Sequence, residues 1–262
     1  MVDTLTGYRM IASNMTRSLA RVSKEPVVER ETAYYLENIG KVKSIDDFMA
    51  DDRLYRYAMK AHGLEDMAYA KAFVRKILTE GTSDDSSLAN TLTDKRYRDF
   101  ATTFDFAALG DKTTASDKAR QGVVDKYVRQ TLEEEAGDQN EGVRLALYFE
   151  RKAKGLTNAY EILGDRALLT VVQTALGIPS AVSYADIDKQ AQRIEQRLDI
   201  KSLSDPKELA KFMTRFTALY EMNNPSMGSA SSVASLLLGG TSSVGISTDI
   251  LTTLQSFKPG GR

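Results

Sequence analysis

Residues 51–81 read DDRLYRYAMKAHGLEDMAYAKAFVRKILTEG. They decide the fold class, because they spell two amphipathic helices joined by a tight turn. Asp51 or Asp52 offers a carboxylate to the unpaired N–H groups of the first helical turn. Leu54, Tyr57, Ala58 and Ala61 recur at three- and four-residue steps and so share one face. Gly63 follows the last periodic residue, where a helix end favours a left-handed conformation. Glu65 and Asp66 open the second helix, with Met67, Ala70, Phe73, Val74, Ile77 and Leu78 on its inner face. Arg75 and Lys76 suit the negative end of that helix dipole, and Gly81 stops it.

The same grammar extends upstream. One helix is expected over residues 5–22, with Tyr8, Ile11, Met15, Leu19 and Val22 forming a narrow, coiled-coil-like seam. Pro26 suits the first turn of the next helix, where a missing N–H costs nothing. Val28, Thr32, Tyr35, Ile39 and Val42 continue that helix as a second seam. The two seams predict an antiparallel hairpin, packed on itself or on the body. Ser44 and Asp47 resemble a capping box for a short helix holding Ile45, Phe48 and Met49.

Downstream, TSDDSS at 82–87 reads as a loop. Asp94 caps a helix carrying Tyr97, Phe100, Ala101 and Phe104. GDKTTASD at 110–117 is a second loop. A longer helix over 116–136 carries Val124, Tyr127, Val128, Thr131 and Leu132, and Glu133, Glu134 and Glu135 read as a solvated face at its end. GDQN at 137–140 breaks the pattern. Further helices are expected over 141–154, from Thr157 or Asn158, from Asp165, and from a capping box of Ser183 and Asp186. That last helix carries a stripe of Ile187, Ala191, Ile194 and Leu198. Asp205, Pro206 and Glu208 combine a cap, a first-turn proline and an acid. Leu209, Phe212, Met213, Phe216 and Leu219 follow, and Asn223, Asn224 and Pro225 end the globular part.

The two halves repeat at an offset of about 113 residues. AYYLE at 33–37 matches ALYFE at 146–150, Asp52 and Arg53 match Asp165 and Arg166, and HGL at 62–64 matches LGI at 176–178 after a one-residue slip. TDKRYRDF at 93–100 matches SDPKELAKF at 204–212. The expected fold is therefore all-α, a multi-helix bundle of two pseudo-repeated helical lobes. Its segments are an amphipathic helix in 1–25, repeats in 26–137 and 138–224, and a tail in 225–262. Residues 225–247 are rich in Ser and Gly and too poor in apolar surface to offset chain entropy, so a flexible tail is expected. Ile246, Ile250, Leu251, Leu254 and Phe257 mark a short amphipathic helix after it. That helix either folds back on the body or docks on a partner.

Composition narrows the function classes. The chain has 262 residues, 27% charged, with a net charge of −1, which favours neither nucleic acid nor an anionic membrane. It has no Cys, which excludes disulfides and thiolate chemistry. Its apolar runs fall short of the ~18 residues of a bilayer span, and the N-terminal residues are too polar for a signal-peptide core. His62 is the single histidine. It ends a helix, where an imidazole commonly serves the last carbonyls. No nucleophile elbow, phosphate-binding glycine loop or calcium loop is present. The expectation is a protein that is not an enzyme, with no cofactor and no metal site. The candidate partner-binding residues are Tyr8, Ile11, Met15 and Leu19 at one end and Ile250, Leu251, Leu254 and Phe257 at the other.

GLEDMAYAKAFVRKILTEG with SLANTLTDKRYRDFATTF, followed by EILGDRALLTVVQTALGIP, resembles the alphaproteobacterial domain of unknown function 1217 family over most of residues 26–223. That family is often encoded within flagellar gene clusters and has no known catalytic residue. The resemblance implies a bacterial, flagellum-associated, non-catalytic structural or assembly protein. Its partners would be other flagellar or assembly proteins, with oligomerisation open. It would be made in the cytoplasm and reach the basal body or periplasm only through type III export. The alternative is a cytoplasmic helical adaptor or export chaperone.

Overall fold

Side chains at the turns fix where the helices begin. The computed structural model describes residues 2–179 and 186–224, and among these every regular element is helical. The expected helix over 5–22 is two, α1 (Thr4–Ala12) and α2 (Met15–Val22). Ser13 and Asn14 interrupt it: the Ser13 hydroxyl donates to the Arg9 carbonyl at 2.6 Å and the Asn14 amide to Met10 O at 3.5 Å. Such local side-chain bonds compete with the helical ladder. α3 (Pro26–Ile39) begins at its proline. α2 packs on the later helix α10 (Gln121–Gln139), and α3 packs on α10 and on α5 (Asp52–Ala61). Both seams therefore serve the body and do not pair as a hairpin.

α4 (Ile45–Ala50) carries the expected capping box, with Ser44 Oγ accepting from Asp47 N at 3.1 Å and Asp47 Oδ2 from Ser44 N at 3.0 Å. Asp51 is the cap of α5, accepting from Leu54 N at 3.0 Å. Leu54, Tyr57, Ala58 and Ala61 are all buried. Gly63 takes φ 70°, and the N–H groups of Gly63 and Leu64 close back on Lys60 and Met59. Glu65 and Asp66 do not open the next helix. They lie in a single 3-10 turn, Glu65–Met67, and α6 (Lys71–Glu80) starts later. The closure at Leu64 sets the chain direction, and neither Leu64 nor Ala70 carries a side-chain acceptor to cap a longer helix. Met67 and Phe73 are consequently half-buried at the core's edge, and Tyr69 is 78% exposed.

α7 (Leu88–Thr91), α8 (Arg96–Thr103) and α9 (Phe106–Leu109) follow, then a 3-10 stretch in Gly110–Ala115. Asp94 stands just outside α8 and accepts from Arg96 N at 3.0 Å. α10 begins at Gln121 and runs through Gly137 to Gln139. The break is Asn140, extended at φ −158°, which caps α11 (Glu141–Ala153). α12 (Ala159–Leu163), α13 (Arg166–Leu176), α14 (Ile187–Glu195) and α15 (Pro206–Asn223) complete the described chain. Asp186 is itself the cap of α14; Ser183 lies outside the described residues. Ile187 is half exposed, so the stripe on α14 narrows to Ala191 and Ile194, with Leu198 against the edge of the core.

The repeat is real at a register of 114. Ser44 and Asn158 are both helix caps, Asp51 and Asp165 are both helix caps, and Gly63 and Gly177 both have positive φ. Tyr34 donates its hydroxyl to Asp51 at 2.8 Å and Tyr148 donates to Asp165 at 2.5 Å, each across 17 residues. Tyr35 and Phe149 are both fully buried. At this register HGL and LGI align without a slip. The match of 93–100 with 204–212 does not extend to packing: the long helix on the capped helix is α10 on α5 in one repeat and α15 on α13 in the other.

One apolar cluster runs from Val22 to Leu132 and another from Leu145 to Phe216. A small third cluster, Ala136, Val143 and Leu147, lies at the α10–α11 junction under Tyr8, Ile11 and Met15. Residues 1–224 form one compact unit. The expected tail of 225–262 lies outside the described residues.

Candidate functional site

The N-terminal seam is engaged by the protein's own core. Tyr8, Ile11, Met15 and Leu19 are half-buried, Tyr8 against the second and third clusters, Ile11 and Met15 against the first and third, Leu19 against the first. Burial, with Glu150 alongside, pushes the Tyr8 phenol well above its ordinary pKa. The face read as a partner seam thus packs on the protein's own core and stays partly exposed. Ile250, Leu251, Leu254 and Phe257 lie outside the described residues.

α1 is held by polar bonds as well. Asp3 caps it, accepting from Thr6 N at 3.0 Å. Thr4 is fully buried; its N–H reaches Glu221 Oε2 at 3.1 Å and its hydroxyl donates to the same oxygen at 2.6 Å. Asn140 Nδ2 donates to Thr4 Oγ1 at 3.1 Å. Gly142 lies beneath, where a Cβ would stand 2.5 Å from the Tyr220 ring and 2.7 Å from the Thr4 methyl. Val2 just before α1, Met10 on α1 and Met222 on α15 remain 51%, 63% and 56% exposed.

Within the acidic triplet of α10, Glu134 and Glu135 stay partly exposed and Glu133 does not. Glu133 is 1% exposed and accepts from Arg129 Nε at 2.8 Å, Arg151 Nε at 2.8 Å and Arg151 NH2 at 2.7 Å. Arg129 also donates to Leu147 O at 3.1 Å and reaches the Met15 sulfur. Glu134 pairs with Lys60 and Glu135 with Arg21, each at 2.7 Å. The helix turns Glu133 into the α10–α11 contact, where an unpaired carboxylate would be costly and two guanidiniums satisfy it. The i,i+4 spacing of Arg129 and Glu133 is visible in sequence; Arg151 comes from another helix and carries no local signal.

His62 does more than end a helix. Its Nδ1 lies 2.9 Å from Ala58 O, so that nitrogen carries the proton and Nε2 presents its lone pair. Lys126 Nζ approaches Nε2 at 2.9 Å, with Thr103 Oγ1 3.2 Å from the same nitrogen. Burial and the Lys126 ammonium hold the imidazole down to about 3. Lys126 is itself lowered by burial and by Lys152 and Arg151, against the opposing pull of Asp99. The ammonium opens on a cleft of about 680 Å³ between α8, α10 and α11. A larger cleft of about 980 Å³ shares Arg96 with it. Arg96 is fixed by Asp94 at 2.8 Å and by the Gly63 carbonyl. Among the described residues no cluster of His, Cys, Asp and Glu is arranged to hold a metal, and no helix is long and apolar enough to cross a membrane.

The sequence profile of a family described as "protein of unknown function (DUF1217)" matches residues 61–209, more than half of the chain. The chain belongs to the DUF1217 family. A crystal structure of an Agrobacterium tumefaciens protein is 56% identical, with a TM-score of 0.80, and the match covers 85% of this chain and 94% of that one. No curated protein matches. The DUF1217 profile takes in His62, Lys126, Glu133 and Arg151, whereas Thr4 and the α1–α2 seam precede it.

Proposed function

We propose that this DUF1217 protein is a non-catalytic structural or assembly protein of the bacterial flagellum, acting through protein–protein contact. The supporting observation is the α1–α15 corner. Two helices separated by almost the whole described chain are bonded through Thr4 and Glu221; they carry the exposed Met10 and Met222, and the exposed Val2 lies just before α1. Apolar side chains displayed on a rigid helical pair are what a partner helix recognises. The flagellar assignment comes from the family resemblance. The test is a clean deletion in the native bacterium, complemented with wild-type chain or with the Met10→Glu, Met222→Glu double variant. Deletion is expected to impair swimming, and wild type but not the variant to restore it. Normal swimming and normal filaments in the deletion would refute the reading. Fractionation adds a second arm: enrichment in purified basal bodies supports a structural component, and a purely cytosolic signal replaces it with the adaptor or export-chaperone alternative.

A further inference from the structure

We propose that the cleft around Lys126 is a binding site for a phosphate group, carried by free phosphate or by a small phosphorylated metabolite. Four carboxylates line this cleft, and each already has a partner. Asp94 holds Arg96 at 2.8 Å, and Asp99 faces Lys152 Nζ at 3.4 Å. Glu161 accepts from Thr157 N at 3.1 Å, and Asp165 caps α13 and takes the Tyr148 hydroxyl. The cations are less fully matched. Among the described residues neither Lys126 nor Arg98 has a carboxylate within ion-pair distance, although both line the cleft.

Lys126 is held in place with care for a residue lacking a counter-ion. His62 Nε2 and Thr103 Oγ1, at 2.9 and 3.4 Å, fix its ammonium. Thr103 donates its own proton to Asp99 O at 2.8 Å, so it can only accept from the lysine. Two of the ammonium's three protons are thereby assigned, leaving one for the cleft. A partly buried ammonium without a counter-ion is costly, and an anion in the cleft offsets that cost. The free donors are an ammonium and one guanidinium, with Lys152 beside them. They line one cleft from α10, α8 and α11, and donors from three helices suit a tetrahedral oxyanion. Of the three guanidiniums that line the cleft, Arg96 and Arg151 are occupied by Asp94 and Glu133, which leaves Arg98.

The experiment is isothermal titration of the full chain with inorganic phosphate and, separately, with a small phosphomonoester, against sodium chloride at matched ionic strength. Saturable binding is expected, weakened about tenfold or more in Lys126→Met. The exposed Arg98→Ala variant leaves the core untouched and is expected to weaken binding as well; it decides the matter if Lys126→Met fails to fold. Preference for the phosphomonoester points to a metabolite, and equal binding to the free ion. No saturable heat with either probe, or equal affinity in wild type and Arg98→Ala, overturns the proposal.

Discussion

Replacing Glu133 by Ala tests whether the α10–α11 junction rests on a buried charge. The carboxylate is 1% exposed and takes three N–H bonds from two arginines whose side chains are 14% and 26% exposed. Removing it leaves Arg129 with the Leu147 carbonyl and Arg151 with a long 3.4 Å bond to Gln130. Two half-buried guanidiniums then face each other without an anion. Removing one member of a buried ionic set costs about 3–5 kcal/mol. For a body of this size that is a fall in Tm of roughly 6–20 °C. Urea unfolding followed by far-UV circular dichroism reads the loss directly. Glu134→Ala is the internal control: it deletes the neighbouring acid, which pairs with Lys60 at a 36% exposed site, and is expected to lose less than about 1 kcal/mol. A Glu133→Ala loss as small as the control's would refute the reasoning. So would a triple variant, Glu133→Leu with Arg129→Met and Arg151→Met, that is less stable than Glu133→Ala, since an apolar replacement of a whole ionic set is commonly neutral or favourable.

Other expectations follow from single contacts. Gly142→Ala drives a methyl into the Tyr220 ring and Thr4 and should lose about 1–3 kcal/mol in a thermal melt; an unchanged Tm would show that α1 yields easily. Asp51→Ala and Asp165→Ala remove equivalent caps and should each cost about 0.5–2 kcal/mol, with a further loss from the stranded Tyr34 or Tyr148 hydroxyl. A large effect in one repeat and none in the other would deny their equivalence. His62 stays neutral in the fold down to about pH 3, whereas the unfolded chain takes up its proton near pH 6.5. Between those values the unfolded state binds more protons, so stability falls by about 1.4 kcal/mol per unit as pH drops. Urea titrations between about pH 6.5 and 5, above most carboxylate titrations, should show this slope in wild type and not in His62→Gln; identical slopes would remove His62 as its source.

The sequence made the helix starts plain wherever one residue type suffices. Pro26, Ser44 with Asp47, Asn158, Asp165 and Asp205 with Pro206 all begin helices in the structure. Each acts on its own next turn, so a window of a few residues contains the cause. Where the cause is distant the reading fails. Arg129 and Glu133 look like a surface pair until Arg151 arrives from α11. His62 looks like a helix-end imidazole until Lys126, 64 residues away, turns its ammonium towards it. In sequence the repeat reads one position off because AYYLE places two tyrosines in succession; the hydroxyl bonds, together with the paired caps and glycines, show that Tyr34, not Tyr35, corresponds to Tyr148. The continuous seam of residues 8–22 also concealed the break at Ser13 and Asn14, since periodicity survives a two-residue interruption that keeps the same face inward.

The Thr4–Glu221 bonds have a topological consequence. They span 217 residues of sequence, so the described body is nearly a closed ring. A short glycine-serine linker from Asn224 to Val2 can complete it, and the ring can be opened between Asp84 and Asp85 in the exposed loop after α6. The permuted chain would run from α7 to α15 and then through α1 to α6. Its most distant contact would become one of its most local, while α6 would be parted in sequence from α7, α8 and α9 and α5 from α10, so a higher contact order should make it fold more slowly than the parent order.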